Sequence, residues 1–152
     1  MKYPKPKPRK KSGKLKWGEN FRTPEQLEYA RLLKECDKLW KELVLRRDKN
    51  YDHYRQKPAN QAHHIISRAY FPTRWLLING VALAAGTHGF DAHGKGSADF
   101  SEWIRQKWVG EENYLALLRR KNNRMKRCTE TLKVVRQSLI TQKEFMDEDN
   151  RV

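Results

Sequence analysis

The sequence has 152 residues, a length that suits one modest domain with tails. Its formal net charge of +15 indicates a polyanionic partner, with nucleic acid as the leading candidate. Aromatic residues make up 11% of the chain, which argues against a wholly disordered basic protein. Neither an apolar run long enough to cross a membrane nor an apolar N-terminal signal segment is present, so we expect a cytoplasmic protein without a membrane partner.

The first 22 residues are predicted to form an extended basic arm. Pro4, Pro6 and Pro8 oppose a helix, and the many like charges repel one another. The arm is either a solubilising tail or a DNA-binding arm whose affinity falls with salt. We favour the second interpretation, with Lys10 and Lys11 among the DNA contacts.

Residues 23–47 are predicted to form a helix that begins at a capping signal. Thr23-Pro24-Glu25-Gln26 places threonine at the N-cap, proline at the first helical position and acid in the first turn. Apolar residues then recur at helical intervals and define one buried stripe: Leu27, Ala30, Leu33, Leu39, Trp40, Leu43 and Val44. The alternative is a break between Glu35 and Lys38 that divides the helix in two.

Four histidines lie between Gln61 and His93. Residues 61–67 are predicted to form a short strand, and residues 81–83 a second strand after a tight turn at Asn79-Gly80. With a helical element near His88, side chains from different elements can converge on one small cavity. Imidazole ligates borderline metals and titrates near neutral pH, so such a cluster can hold a cation and move a proton.

This stretch resembles the HNH endonucleases, whose shared core is the ββα-metal fold. The resemblance rests on Ala62-His63-His64-Ile65-Ile66, on Asn79-Gly80 and on His88. It extends more loosely to residues 39–48 and 100–104, so that it covers roughly half of the chain, and it is closest to small phage-encoded members. It implies an α+β fold, mostly helical, with a small ββα-metal core made of a two-stranded hairpin and a helix.

The resemblance also implies a role for each matching residue. His63 corresponds to the first metal ligand, His64 to the general base, His88 to the second metal ligand, and Asn79 to the asparagine that fixes the loop and helps to orient the base. His93 is a further candidate ligand, although an ordinary role for it is equally open. The implied cofactor is one divalent ion, magnesium or manganese as in the family, with nickel or zinc as alternatives that imidazole ligands suit.

These roles match what phosphodiester hydrolysis requires. A base must activate water, and a cation must offset the charge that develops on the phosphate and on the leaving oxygen. Adjacent side chains on a strand point to opposite faces, so His63 and His64 can act together only where the strand twists or a loop wraps around both.

Many members of the family brace their core with a zinc ion held by two Cys-x-x-Cys pairs. At the corresponding positions this chain has Tyr51 and Tyr54, then Ala84 and Thr87. Alanine and threonine are not zinc ligands, so we predict no structural zinc. The two tyrosines either take over the bracing by packing or are ordinary core or surface residues.

Several cations are candidate DNA contacts. Arg68 and Arg74 flank the histidine cluster and are either phosphate contacts or solvated charges. Lys95 lies in Gly94-Lys95-Gly96-Ser97, which resembles a flexible phosphate-contacting loop but lacks P-loop spacing. The remaining candidates belong to a basic run that we interpret as a DNA track in preference to a solvated helix face: Arg119, Arg120 and Arg124.

Three helices are predicted beyond the histidines. Ser97 is expected to cap the first, which ends at Gly110, and the second begins near Tyr114. The third carries an apolar stripe that packs on the core or pairs with a second copy of the chain: Leu132, Val135, Leu139 and Ile140.

The sequence therefore predicts a metal-dependent HNH endonuclease that hydrolyses DNA, in the cytoplasm of the host if a phage encodes it. A second copy of the chain or a phage DNA-processing protein is a further candidate partner. The predicted layout is a basic arm (residues 1–22), a nuclease domain (23–120) and a basic amphipathic C-terminal helix with a tail (121–152). The alternatives are an inactive HNH-fold DNA-binding protein and an RNA-directed or structural basic protein.

Overall fold

The computed structural model describes residues 23–149, so the predicted arm with Lys10 and Lys11 lies outside the described residues. Within this part the fold is α+β and mostly helical, as predicted, with two small antiparallel sheets of two strands each. None of the described helices combines the length and the apolarity that crossing a bilayer requires.

Helix α1 (Pro24–Arg47) begins at the predicted cap. The hydroxyl of Thr23 accepts a hydrogen bond from the backbone N–H of Gln26, and the side chain of Gln26 accepts one from the backbone N–H of Thr23. The alternative of a break between Glu35 and Lys38 is wrong. No proline or glycine interrupts that segment, and Cys36 within it is fully buried on the core side of one continuous helix.

Helix α5 (Thr129–Asp149) runs parallel to α1 and packs against it. Leu132 and Leu139 from the predicted stripe are buried in one core with α1. Ion pairs join the two helices in the same order along both: Glu28–Lys133, Glu35–Arg136, Glu42–Lys143 and Arg46–Asp147. Such exposed pairs each contribute at most about 1 kcal/mol, so apolar burial dominates this contact. The predicted stripe thus packs within the chain.

The two sheets lie between these helices in sequence. Strand β1 (Tyr51–Asp52) pairs with β2 (Lys57–Pro58), and β3 (Gln61–His64) pairs with β4 (Gly80–Leu83). In the second sheet His63 lies opposite Val81 and His64 lies opposite Gly80. The first predicted strand is thus confirmed at its beginning and is shorter than expected.

The predicted tight turn at Asn79-Gly80 is wrong. A two-residue turn of that type needs a positive φ at its central residues, whereas Gly80 is extended with φ −125° and opens β4. Residues 65–79 instead form a long loop that closes with a 3₁₀ turn (Leu77–Asn79). The side chain of Asn79 is fully buried, so this residue anchors the loop and does not reverse the chain.

Replacing Gly80 with alanine is expected to destabilise the protein. A Cβ atom at this position would lie 2.5 Å from Val44 Cγ2 and 2.8 Å from Trp40 Cζ2, which is too close for packed carbon atoms. Overpacking of this kind costs about 1–3 kcal/mol of unfolding free energy. Urea unfolding would measure the loss, with Gly86→Ala as the control because a Cβ there meets none of the described atoms within 4 Å. Equal unfolding free energies for the two variants would contradict the predicted overpacking.

Short helices follow β4 and complete the second half of the fold. Their bounds are α2 (Ala85–Thr87) with a π-helical turn (His88–Ala92), α3 (Ser97–Trp103) with a second π-helical turn (Ile104–Trp108), and α4 (Glu111–Arg120). The helix predicted to end at Gly110 is confirmed, and Gly110 has a φ of +84°. The predicted cap by Ser97 is wrong, because Gly96 occupies the N-cap and no side chain caps the helix. Phe100 and Ile104 pack with Val81 in a second core.

Candidate metal and catalytic site

Three histidines from two parts of the chain converge at the edge of the second sheet. His63 comes from β3, while His88 and His93 lie at the two ends of the π-helical turn that follows α2. The ligand nitrogens of the three rings all lie within 4.8 Å of one another. A tetrahedral ion bound at about 2.1 Å needs nitrogens about 3.4 Å apart, so a small closure of the rings would complete the site.

His63 and His88 suit a metal in their protonation state as well as in their positions. Burial, together with His88 and His93 nearby, lowers the pKa of His63 to about 3. Burial and the neighbouring His93 also lower the pKa of His88. Imidazole binds a metal through an unprotonated nitrogen, so both rings are in the ligating form at neutral pH.

His64 occupies a different environment from His63. Its ring stacks on the indole of Trp40, with centroids 3.7 Å apart and planes inclined by 12°. Its Nε2 lies 2.9 Å from the backbone carbonyl oxygen of Arg74. A carbonyl only accepts, so Nε2 carries the proton and Nδ1 has a free lone pair. Burial lowers the pKa of His64 to about 4, so the ring is neutral at pH 7.

Both histidines nevertheless line one cavity. Their side chains take opposite directions from β3, His63 towards Phe100 and His64 towards Trp40, as expected for neighbours on a strand. A cavity of about 620 Å³ reaches His63, His64, His88 and His93, and Arg68 also lines it. No carboxylate lies among the described residues that line it. The cavity is therefore suited to an anionic ligand.

Asn79 acts on the loop and not directly on His64. Its side-chain amide donates to the backbone carbonyls of Ile66 and Thr73 at 3.0 and 2.9 Å, and its oxygen accepts from the backbone N–H of Ile66 at 2.7 Å. Thr73 immediately precedes Arg74, whose carbonyl holds the ring of His64. Asn79 is thus two links away from the candidate base, through the backbone of the loop.

No family model, curated protein or solved structure matches this chain.

Two buried carboxylates brace the turn that carries His88 and His93. Asp52, fully buried, accepts from the backbone N–H groups of Tyr54, Arg55 and Ala84 and so ties the β1–β2 turn to the start of α2. Asp91, between His88 and His93, is buried and receives a bidentate contact from Arg55. Tyr54 packs edge-on against Phe100, whereas Tyr51 is exposed.

The candidate DNA contacts fall into different settings. Arg68 is exposed and lines the cavity, whereas Arg74 is largely buried in a bidentate ion pair with Asp37 and is less free to bind phosphate. The remaining candidates lie on exposed surface: Lys95 after the ligand-bearing turn, Arg119 and Arg120 at the end of α4, and Arg124 in the segment that follows.

Sequence reasoning missed three residues that position the site. The sequence pattern places Trp40 only in the core stripe and gives no role to Asp37 or to Asp52, which lies between the two tyrosines. The partners of Trp40 and Asp37 lie 24 and 37 residues further along the chain, so no local spacing links them. The one available signal was the acidic character of Asp37 and Asp52 in an otherwise basic chain, since an isolated carboxylate beside apolar residues often accepts internal hydrogen bonds.

Proposed function

We propose that this chain is a metal-dependent endonuclease of the HNH type that hydrolyses phosphodiester bonds in DNA. The observation that carries the proposal is the meeting of three ligand histidines, the neutral ring of His64 and the guanidinium of Arg68 in one cavity without carboxylates among its described lining residues. That combination supplies the base, the cation site and the phosphate contact that the reaction needs.

In this proposal each group of the chain has one task. Nδ1 of His64 takes the proton of the attacking water, while Trp40 and the carbonyl of Arg74 hold the ring in place. Arg68 binds a non-bridging oxygen of the phosphate. His63, His88 and His93 hold the divalent ion, which when bound offsets the charge on the phosphate and on the departing 3′ oxygen.

The donor set also ranks the candidate ions. Three imidazole nitrogens without a carboxylate favour zinc or nickel by ligand type, whereas manganese and magnesium prefer oxygen ligands and magnesium retains several waters. We therefore place the borderline ions ahead of magnesium for affinity, although the resemblance to the family by itself favours magnesium or manganese. Affinity and activity can favour different ions, so both need to be measured.

Metal-dependent nicking of supercoiled plasmid tests this proposal. We expect wild-type protein to be inactive in EDTA and active with added manganese, nickel or zinc. His88→Ala is expected to bind the metal at least about tenfold more weakly and to lose nicking. His53→Ala is the matched control, because His53 is an exposed histidine outside the cluster. Binding of DNA without cleavage under any metal would refute the nuclease and favour a DNA-binding protein.

A further inference from the structure

A second concave surface lies next to the catalytic cavity. It is a groove of about 540 Å³ between residues 69–72, from the long loop, and residues 121–127, which connect α4 to α5. We call it the Tyr70 groove. The described residues that line it include four cations and no carboxylate: Lys121, Arg124, Lys126 and Arg127. The groove is therefore suited to a polyanion.

The groove differs from an ordinary basic surface because it presents an aromatic ring. The side chain of Tyr70 is 41% exposed, so part of its ring is open to solvent beside the four cations. The ammonium of Lys121 lies 5.1 Å from the centroid of the Tyr70 ring. This ammonium covers one face of the ring, so a base that stacks on that face would displace it and leave its charge free for the adjoining phosphate.

The wall that carries Tyr70 is fixed in position. The guanidinium of Arg127 lies over the ring of Phe71 and donates to the backbone carbonyl of Ala69 at 3.1 Å. Arg120 donates to the carbonyl of Pro72 on the same wall. These contacts between the two walls fix the shape of the groove. A preformed groove lowers the entropic cost of ligand binding.

The groove is also continuous with the cavity along the chain. Ser67 and Arg68 line the catalytic cavity, and Ala69 and Tyr70, the next residues, line the groove. A strand whose phosphate contacts Arg68 would therefore pass directly to Tyr70. In a duplex each base is stacked between its neighbours, so only an unpaired base can offer its face to a protein ring.

We propose that the Tyr70 groove binds single-stranded DNA, with an unpaired base stacked on Tyr70 and the adjoining phosphates on Lys121 and Arg124. The substrate of the cavity is then DNA with an unpaired segment beside the cleaved bond, and not uniform duplex. The statement about the substrate rests on the proposed nuclease function, whereas the binding of single strands does not.

Fluorescence anisotropy in EDTA tests the groove without any cleavage. The probes are a labelled oligothymidine of about twelve nucleotides and a blunt duplex of equal length. Wild-type protein is expected to bind the single strand more tightly than the duplex. Tyr70→Ala and Tyr70→Leu are expected to weaken single-strand binding about tenfold, in line with the loss of one stacked base, and Tyr70→Trp to preserve it. Duplex affinity stays within about twofold in all three, because the cations remain.

Two further variants complete the experiment. Phe145→Ala removes another exposed aromatic ring, on α5 and outside the groove, and is expected to leave both affinities unchanged. Arg124→Gln is expected to weaken both probes and to reduce the salt slope of binding by about one. The proposal is overturned if Tyr70→Leu binds the single strand as wild type does, or if it weakens both probes equally. Because EDTA prevents metal-dependent cleavage, these outcomes are independent of whether the protein nicks plasmid.

Discussion

Replacing His64 with alanine is expected to lower the rate of plasmid nicking by about 10²–10⁴-fold, the usual contribution of a positioned general base. The ring of His64 is neutral, its Nε2 proton is directed at the carbonyl of Arg74, and its Nδ1 is free to take a proton from water. Alanine removes this acceptor and leaves the three ligand histidines in place. The measurement is the initial rate of nicking at saturating metal.

A measurement of metal affinity distinguishes loss of the general base from loss of the metal ion. Because His64 points towards Trp40 and away from the ligand cluster, His64→Ala should bind the ion with wild-type affinity by calorimetry. It should also bind DNA as wild type does. His53→Ala serves again as the control for the loss of a histidine, with unchanged nicking. If His64→Ala nicks plasmid at the wild-type rate, another group activates water and the assignment of the base is wrong.

The three candidate metal ligands differ in how well the sequence predicts them. The resemblance to the HNH endonucleases predicts His63 and His88 as ligands, each at a fixed place relative to a strand or a helix. Spacing alone does not determine whether the bend after His88 brings His93 back to the same place, so the sequence leaves a ligand role for His93 open. The π-helical turn of residues 88–92 widens the helix enough for both rings to face His63. Such a turn has no sequence signal beyond flexible residues such as Gly89.

The long loop shows where local patterns fail. Asn79-Gly80 is a strong turn signal when only nearest neighbours matter. In the folded chain the amide of Asn79 instead has buried backbone partners as far as 13 residues away, and Gly80 allows α1 to approach closely. Asn-Gly can therefore occur either in a hairpin turn or in a long-range contact, and the local sequence is the same in both cases. The bounds of helix α1 are predicted almost to the residue because its cap is local, whereas its predicted stripe includes the exposed Leu27 and omits the buried Leu32 and Cys36.

Replacing Asn79 with alanine is expected to destabilise the whole domain by about 3 kcal/mol. The side chain makes three hydrogen bonds and is fully buried, so alanine leaves one backbone N–H and two carbonyls without their partner. A typical hydrogen bond contributes about 0.5–1.5 kcal/mol, and a buried group left unpaired costs about 1–3 kcal/mol. Against a total stability of about 5–15 kcal/mol the loss is large. Urea unfolding of the metal-free protein measures it.

Asn113→Ala provides the matched comparison. Asn113 is an exposed asparagine whose amide donates one hydrogen bond, to the carbonyl of Val109, and its loss should change the unfolding free energy by less than about 1 kcal/mol. In Asn79→Ala the freed loop also lets the carbonyl of Arg74 move away from His64, so nicking should fall even at temperatures where the variant is folded. Equal unfolding free energies for the two variants would show that the loop does not depend on Asn79. A stability loss with normal nicking in the folded variant would show that the loop holds the fold without orienting the base.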